Sequence, residues 1–334
     1  MELETRKEGP GEYTLRYALQ CDAHGRIKDL VDEDCTTSSF VFFTETKVLL
    51  GVLELPDEDD EVMQEYPTLN IVDFSIGVDT QRRLWELDPQ TRHCFLFPEL
   101  RAGTIPVRID VRSDPSPGWK PSEDLQAPFH VSSERLFVIS LSVVESLRLS
   151  TIAFLTLQSV VLDIIDSCGA ENSLGQKIPW EQWGPEGTRM TEVSFSAVWA
   201  CYTYGTKCVL PFQRRDSNGQ IHFRIVDFDR TSLKKRDEGQ LFRGKNTLST
   251  EIWFKDKDLS TSLPFRMISK EFKGSFRPSC SPMIAEDSLI VVDVCVPAVS
   301  KCWVLAHQVT EYICAVPHLH ILGVCTRGVG YVLR

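Results

Sequence analysis

The chain has 334 residues, 42% hydrophobic and 25% charged, which is ordinary globular usage and excludes a generally disordered chain. Its 47 acidic residues outnumber 36 basic ones, for a formal charge of −11. That balance argues against a nucleic-acid binder, which neutralises phosphates with a basic surface.

In chain order, Met1–Pro10 lacks the apolar core of a signal peptide. Runs rich in Val, Ile, Phe, Tyr, Thr and Trp then alternate with turn clusters. They predict strands near Tyr13–Cys21, Ser39–Thr44 and Val48–Leu55. Pro56–Gln64 reads as a loop. Its Asp57-Glu58-Asp59-Asp60-Glu61 run lacks the fixed carboxylate offsets and glycine of an EF-hand, so it is read as a solvated acidic loop. Further strands are expected near Leu69–Ile76, Arg83–Leu87, His93–Phe97, Val107–Arg112, Leu136–Val144 and Thr151–Leu157, with a loop over Ser113–Ala127.

Leu149–Ile165 is the longest apolar stretch, but it contains Asp163 and several hydroxyl residues, and Arg148 and Glu145 precede it. A membrane span needs about 20 mostly apolar residues, so none is predicted. One short helix is expected over Gln158–Ser167, stopped by Gly169. Ala170–Arg189 reads as a loop. Strands follow near Val193–Phe195, Val198–Tyr204, Lys207–Phe212, Ile221–Phe228, Glu251–Phe254, Pro264–Ser269 and Ser288–Val294. Asp216-Ser217-Asn218-Gly219 supplies the positive φ angles of a tight hairpin turn. Ile221, Phe223 and Ile225 alternate with His222 and Arg224, which predicts one buried face. Lys234-Lys235-Arg236 is followed at once by Asp237 and Glu238, and reads as part of a solvated loop over Thr231–Lys245.

So many short strands predict an all-β fold. The chain is too long for one sandwich of about 100 residues. A divergent β-propeller of WD40-like type fits better, since blades of about 40 to 45 residues would give about six to eight units. The echo of Ile71-Val72-Asp73-Phe74 in Ile225-Val226-Asp227-Phe228 agrees with repetition, although Gly-His and Trp-Asp blade signatures are missing.

The sequence motifs of a nucleophile elbow, a phosphate-binding loop and a zinc-protease helix are absent. The best metal-like group is Cys314, His318, His320 and Cys325, whose spacing fits no common zinc module. The plainer reading is a strand with apolar cysteines, and no metal or cofactor is expected. Eleven scattered cysteines without a Cys-x-x-Cys pair, and no Asn-x-Ser/Thr sequon, predict an intracellular protein of cytoplasm or nucleus.

The segment Ile178-Pro179-Trp180-Glu181-Gln182-Trp183-Gly184-Pro185-Glu186-Gly187-Thr188-Arg189 carries the chief identity signal. Pro128-Phe129-His130 and Arg135-Leu136-Phe137-Val138-Ile139 precede it. Val198-Trp199-Ala200-Cys201-Tyr202-Thr203-Tyr204-Gly205-Thr206-Lys207, Ser262-Leu263-Pro264-Phe265-Arg266 and Met283-Ile284-Ala285-Glu286-Asp287-Ser288-Leu289-Ile290 follow. In this order they resemble, over roughly residues 70 to 294, the region downstream of the F-box in a large family of F-box proteins from mushroom-forming fungi. The resemblance implies a propeller-like region that recognises a protein partner, tethered to a ubiquitin-ligase adaptor by the F-box. Residues 1–55 read as strands, where the F-box would be helical, so the adaptor is an expected partner only with an F-box restored. Such proteins end soon after the Leu289–Val292 strand. The expected division is therefore a recognition domain over 1–294 and an extension over 295–334.

Trp180 and Trp183 each bring a large apolar surface and one N–H donor. With Arg189 they would form a partner hot spot, or they would plug a loop onto the body of the fold. The plug is preferred, because large aromatics are more often buried than displayed. Arg189 is expected to pair with a carboxylate or to stack on a tryptophan. The expected function is non-enzymatic recognition, with no nucleic acid or membrane among its partners. An interaction scaffold unrelated to ubiquitin is the first rival, and a hydrolase on a β scaffold the second.

Overall fold

The structure, a computed structural model, describes residues 2–9, 12–18, 35–54, 66–73, 92–115, 117–118, 134–167, 177–193, 202–210, 221–229, 239–250, 252–256, 258–272, 280–284, 288–293, 301–306, 320–324 and 330–332. Strands take up 62% of these residues and only two helices occur, so the chain is all-β.

Strands β1 (Glu2–Gly9) and β2 (Glu12–Ala18) form an antiparallel hairpin. A first meander follows: β3 (Cys35–Phe42), β4 (Lys47–Glu54), β5 (Tyr66–Asp73) and β6 (Arg92–Leu96). The second is β7 (Ile105–Arg112), β8 (Leu136–Glu145) and β9 (Arg148–Leu157). After β9 the chain forms α1 (Gln158–Ser167), then β10 (Lys177–Ile178), which adds parallel to β6. Helix α2 (Trp180–Gly187) leads into β11 (Thr188–Val193), which returns antiparallel beside β9.

The third meander is β12 (Thr203–Tyr204), β13 (Lys207–Leu210) and β14 (Ile221–Asp227). Beyond it come β15 (Gln240–Phe242), the hairpin β16 (Asn246–Ser249) and β17 (Asp258–Thr261), and β18 (Phe265–Phe272), which lies between β14 and β15. The last sheet holds β19 (Cys280–Ile284), β20 (Ser288–Asp293), β21 (Lys301–Ala306), β22 (His320–Val324) and β23 (Gly330–Val332). Among the described residues none of the sheets closes on itself. β20 pairs with β21, so this sheet runs across residue 294.

Each of the later sheets packs its first strand on the sheet before it: β7 on β3 and β4, β12 on β8, and β19 on β12 and β13. Gly51 makes the first contact possible, since a Cβ there would lie 2.6 Å from Ile109 Cγ2. The core sits between successive sheets. The larger cluster joins Leu49, Ile71 and Phe95 of the first meander to Ile109, Ile139 and Phe154 of the second. A second cluster joins Val138 and Leu155 to Cys208, Val226 and Phe228. Side chains cap both edges of the second sheet. Ser39 Oγ accepts from the Val111 N–H (2.6 Å) and donates to its carbonyl (3.3 Å). On the far edge, Thr261 Oγ1 accepts from the Met190 N–H (3.0 Å) and Asn246 donates to the Met190 carbonyl (3.3 Å). Such capping denies an incoming strand those groups.

Several expectations are corrected. The loop expected over Ala170–Arg189 contains β10 and a second helix. Of the strand expected over Glu251–Phe254, the described residues Ile252–Phe254 are not a strand. Trp253 and Phe254 both donate to the Thr250 carbonyl (2.8 and 2.9 Å), which folds the segment into a turn with both rings buried. The alternation in β14 slips: Phe223 and Val226 are buried while Ile225 is half-buried. Leu149–Ile165 is divided between β9 and α1, and among the described residues no helix is long and apolar enough to cross a membrane. The predicted Arg83–Leu87 strand, the Asp57–Glu61 run, the Asp216–Gly219 turn and the Lys234–Arg236 run lie outside the described residues.

Candidate functional site

Three breakers, Gly184, Pro185 and Gly187, fall within the eight residues of α2. Propensity alone opposes a helix there. Tertiary packing overrides it, because Trp180 and Trp183 are three residues apart and share one helical face. That face enters the core, leaving the two indoles 4% and 2% exposed. They meet edge to face at 5.0 Å between centroids. Trp183 also contacts Phe95 (5.8 Å) and Phe97 (5.9 Å), and Trp180 contacts Phe154 (5.5 Å). Trp183 Nε1–H donates to the Leu96 carbonyl at 2.8 Å, so its one polar atom is satisfied. A Cβ on Gly184 would overlap the Trp180 ring.

The end of the helix is tied to three neighbours. Thr188 Oγ1 donates to the Gly184 carbonyl (2.6 Å), and Thr156 Oγ1 to that of Gly187 (2.9 Å). The Pro185 carbonyl accepts from the Ser262 N–H (2.8 Å) and hydroxyl (3.1 Å). Arg189 is 4% exposed, and among the described residues it forms no ion pair with a carboxylate and stacks on no tryptophan, contrary to expectation. Its guanidinium donates to the carbonyls of Leu263 (3.1 Å), Thr261 (3.1 Å) and Gly244 (3.1 and 3.2 Å), and lies 4.8 Å above the Phe265 ring. Burial lowers its pKa. The planar five-donor fork of arginine suits this task, gathering three carbonyls from two backbone segments at once. The segment therefore joins the first meander, β9, the β16–β17 hairpin and β18. Trp180, Trp183 and Arg189 come together there, as parts of the interior.

A polar ladder not expected from the sequence lies on the opposite face of the first meander. Arg92 donates to Glu54 (2.6 Å) and Asn70 (2.6 Å), and Thr68 donates to Glu54 (3.0 Å). Lys177 lies 5.3 Å from the Tyr66 ring centroid, beside this ladder. Burial and then the Glu54 charge raise the Tyr66 pKa. Polar residues at alternate positions of β5, Tyr66, Thr68 and Asn70, were the available signal.

Cys94 and Cys208 are free and buried. Burial, then Glu54, pushes the Cys94 thiol up to about 11, and burial raises Cys208 as well. Both stay protonated at neutral pH, the inert state of a thiol. Arg135 is a second buried cation, donating to the Phe42 and Phe43 carbonyls (2.8 and 3.3 Å). Burial pushes it down to about 10, against the opposing charge of Asp114.

Of the metal-like group, His320 opens β22, while Cys314, His318 and Cys325 lie outside the described residues. Among the described residues no group of three or more His, Cys, Asp or Glu could hold a metal ion. No family model, curated protein or solved structure matches this chain.

Proposed function

We propose that this chain is a non-enzymatic protein-recognition module of the kind its sequence resembles, the region downstream of the F-box in fungal F-box proteins, with its sheets arranged as blades of a divergent propeller. The observation that carries the reading is the serial stacking of sheets, each resting its first strand on the sheet before. Radially arranged meanders stack in this way. The Trp180–Arg189 segment supports the reading from another side. Its residues serve as an interior staple, as a motif shared for the sake of fold would.

The link to a ubiquitin ligase depends on an F-box elsewhere in the full protein. Affinity purification of the tagged protein from its own cells, followed by mass spectrometry, tests it. Recovery of a ligase adaptor and a cullin is the expected result. A stable complex without them would favour a scaffold unrelated to ubiquitin.

A further inference from the structure

The large apolar side chains left exposed among the described residues gather at one end of the second sheet. Ile105 is 56% exposed, Val107 46%, Leu149 64%, Leu147 99% and Ile252 39%. Strand register makes them neighbours. Ile105 pairs with Val144, and Val144 with Leu149, so the row crosses three strands. Val107 occupies the irregularity between Pro106 and Arg108. The Ile252 carbonyl accepts from the hydroxyl of Thr104 (3.3 Å), the residue before β7, which brings the Ile252 backbone to the start of that strand.

The turn at this end is unusual. Glu145 pairs with Arg148, and Ser146 and Leu147 between them have φ of 48° and 65°. Two positive φ values favour Asn-Gly, and a leucine there carries backbone strain. Leu147 gains no burial in return. A strained, fully exposed leucine at the sheet end where Ile105 and Leu149 are also exposed points to a use outside the folded chain.

Charge selects the partner. Residues 104–112 and 143–151 carry three arginines (Arg108, Arg112, Arg148) against two carboxylates (Asp110, Glu145), a local excess of one positive charge in a chain of −11. Asp110 is engaged by Arg108 (2.7 Å) and by Arg112 (3.6 Å), and Glu145 accepts from the Ser146 hydroxyl (2.8 Å). Arg108 and Arg148 stand exposed at the rim. An apolar centre with an arginine rim is the composition of a protein interface, and lysine is depleted in such places.

We infer that this sheet end receives a protein partner through a short segment that carries aliphatic or aromatic side chains flanked by carboxylates. The inference rests on the recognition-module reading and assigns that module its surface. Leu147 and Leu149 enter the apolar part of the partner, and Arg108 and Arg148 draw in its carboxylates.

The test is selection of short random peptides displayed on phage against the purified full chain. Expected winners combine Leu, Phe or Trp with Asp or Glu. A synthetic winner loses affinity about tenfold or more on the double change Leu147→Ser and Leu149→Ser. It associates more slowly with Arg148→Glu, and the difference shrinks in high salt. Leu147→Asn guards against simple unfolding. Asparagine tolerates the left-handed backbone, so that variant melts no lower than the parent while binding more weakly. Winners that bind the double variant equally well would overturn the surface and leave the module intact. Binding to phosphatidylserine-containing vesicles in place of peptides, or a dimer abolished by the same changes, would overturn the partner class. Failure to purify any stable partner from cells would count against the module itself.

Discussion

The two faces of the first meander, extended by β10, use the same strands in opposite ways. Lys177 and Ile178 are consecutive, yet one stands beside a polar ladder and the other lies in an aromatic core. On the core face, Phe95, Phe97, Phe154, Trp180 and Trp183 interlock, and hydrogen bonding is reduced to one indole N–H. On the other face, Glu54, Thr68, Asn70 and Arg92 are linked by hydrogen bonds, with Thr68 and Asn70 fully buried. The aromatic face depends on shape, because the packing of large rings leaves no slack. The polar face depends on complete pairing, because a buried polar group without its partner is costly.

The largest effect is expected from breaking the aromatic face. Trp183→Ala removes contacts with three rings, those of Phe95, Phe97 and Trp180, and leaves the Leu96 carbonyl without its donor. A loss of about 4 kcal/mol is expected in urea unfolding, and Trp183→Phe should cost roughly half as much. A loss below about 1 kcal/mol for Trp183→Ala would mean that α2 does not hold the sheets together.

Breaking the polar face should cost less and behave differently. Glu54 and Arg92 meet at 2.6 Å with side chains only 14% and 20% exposed. Glu54→Leu and Arg92→Leu should each destabilise by about 2 kcal/mol, since each strands its former partner. The double variant should fall well short of their sum, giving a coupling of roughly 1 to 2 kcal/mol in a double-mutant cycle. Additive losses would show that the pair does not act as a unit.

The difference between the faces also explains what the sequence revealed. The core strands were legible because Val48–Leu53 and Leu136–Leu141 are dense runs of apolar residues of high strand preference. Helix α1 was legible from its periodicity and its terminal glycine. Helix α2 was not, because local signals from Gly184, Pro185 and Gly187 all oppose it and only distant rings hold it in place. The plug was legible as a preference for burying tryptophan, but the partners of Arg189 were not. Its acceptors are backbone carbonyls some 55 to 74 residues away, and carbonyls leave no mark in a sequence. The Glu54–Arg92 pair, 38 residues apart, was hidden for a related reason. Its geometry comes from strand register, which needs the turns to be known first.

The smallest effect sharpens the contrast at the rim, where the two kinds of surface meet. His93 lies on the core side of β6, paired in register with Ile71, near the Lys47–Asp73 ion pair (2.9 Å). Burial lowers its pKa from 6.5, the Lys47 charge lowers it further, and Asp73 partly restores it. The neutral ring is therefore the native form. As pH falls below 6.5, the unfolded chain takes up a proton that the folded chain refuses, so stability declines until the lower folded value is passed. Above that window His93 contributes no slope. Urea midpoints measured at roughly pH 7.5 and 5.5 should differ less for His93→Phe than for the parent, by under about 1.4 kcal/mol per pH unit. Asp73→Asn removes the one charge that favours the imidazolium, so it should extend the decline to lower pH. An identical slope in all three proteins would place His93 in water, away from the core face.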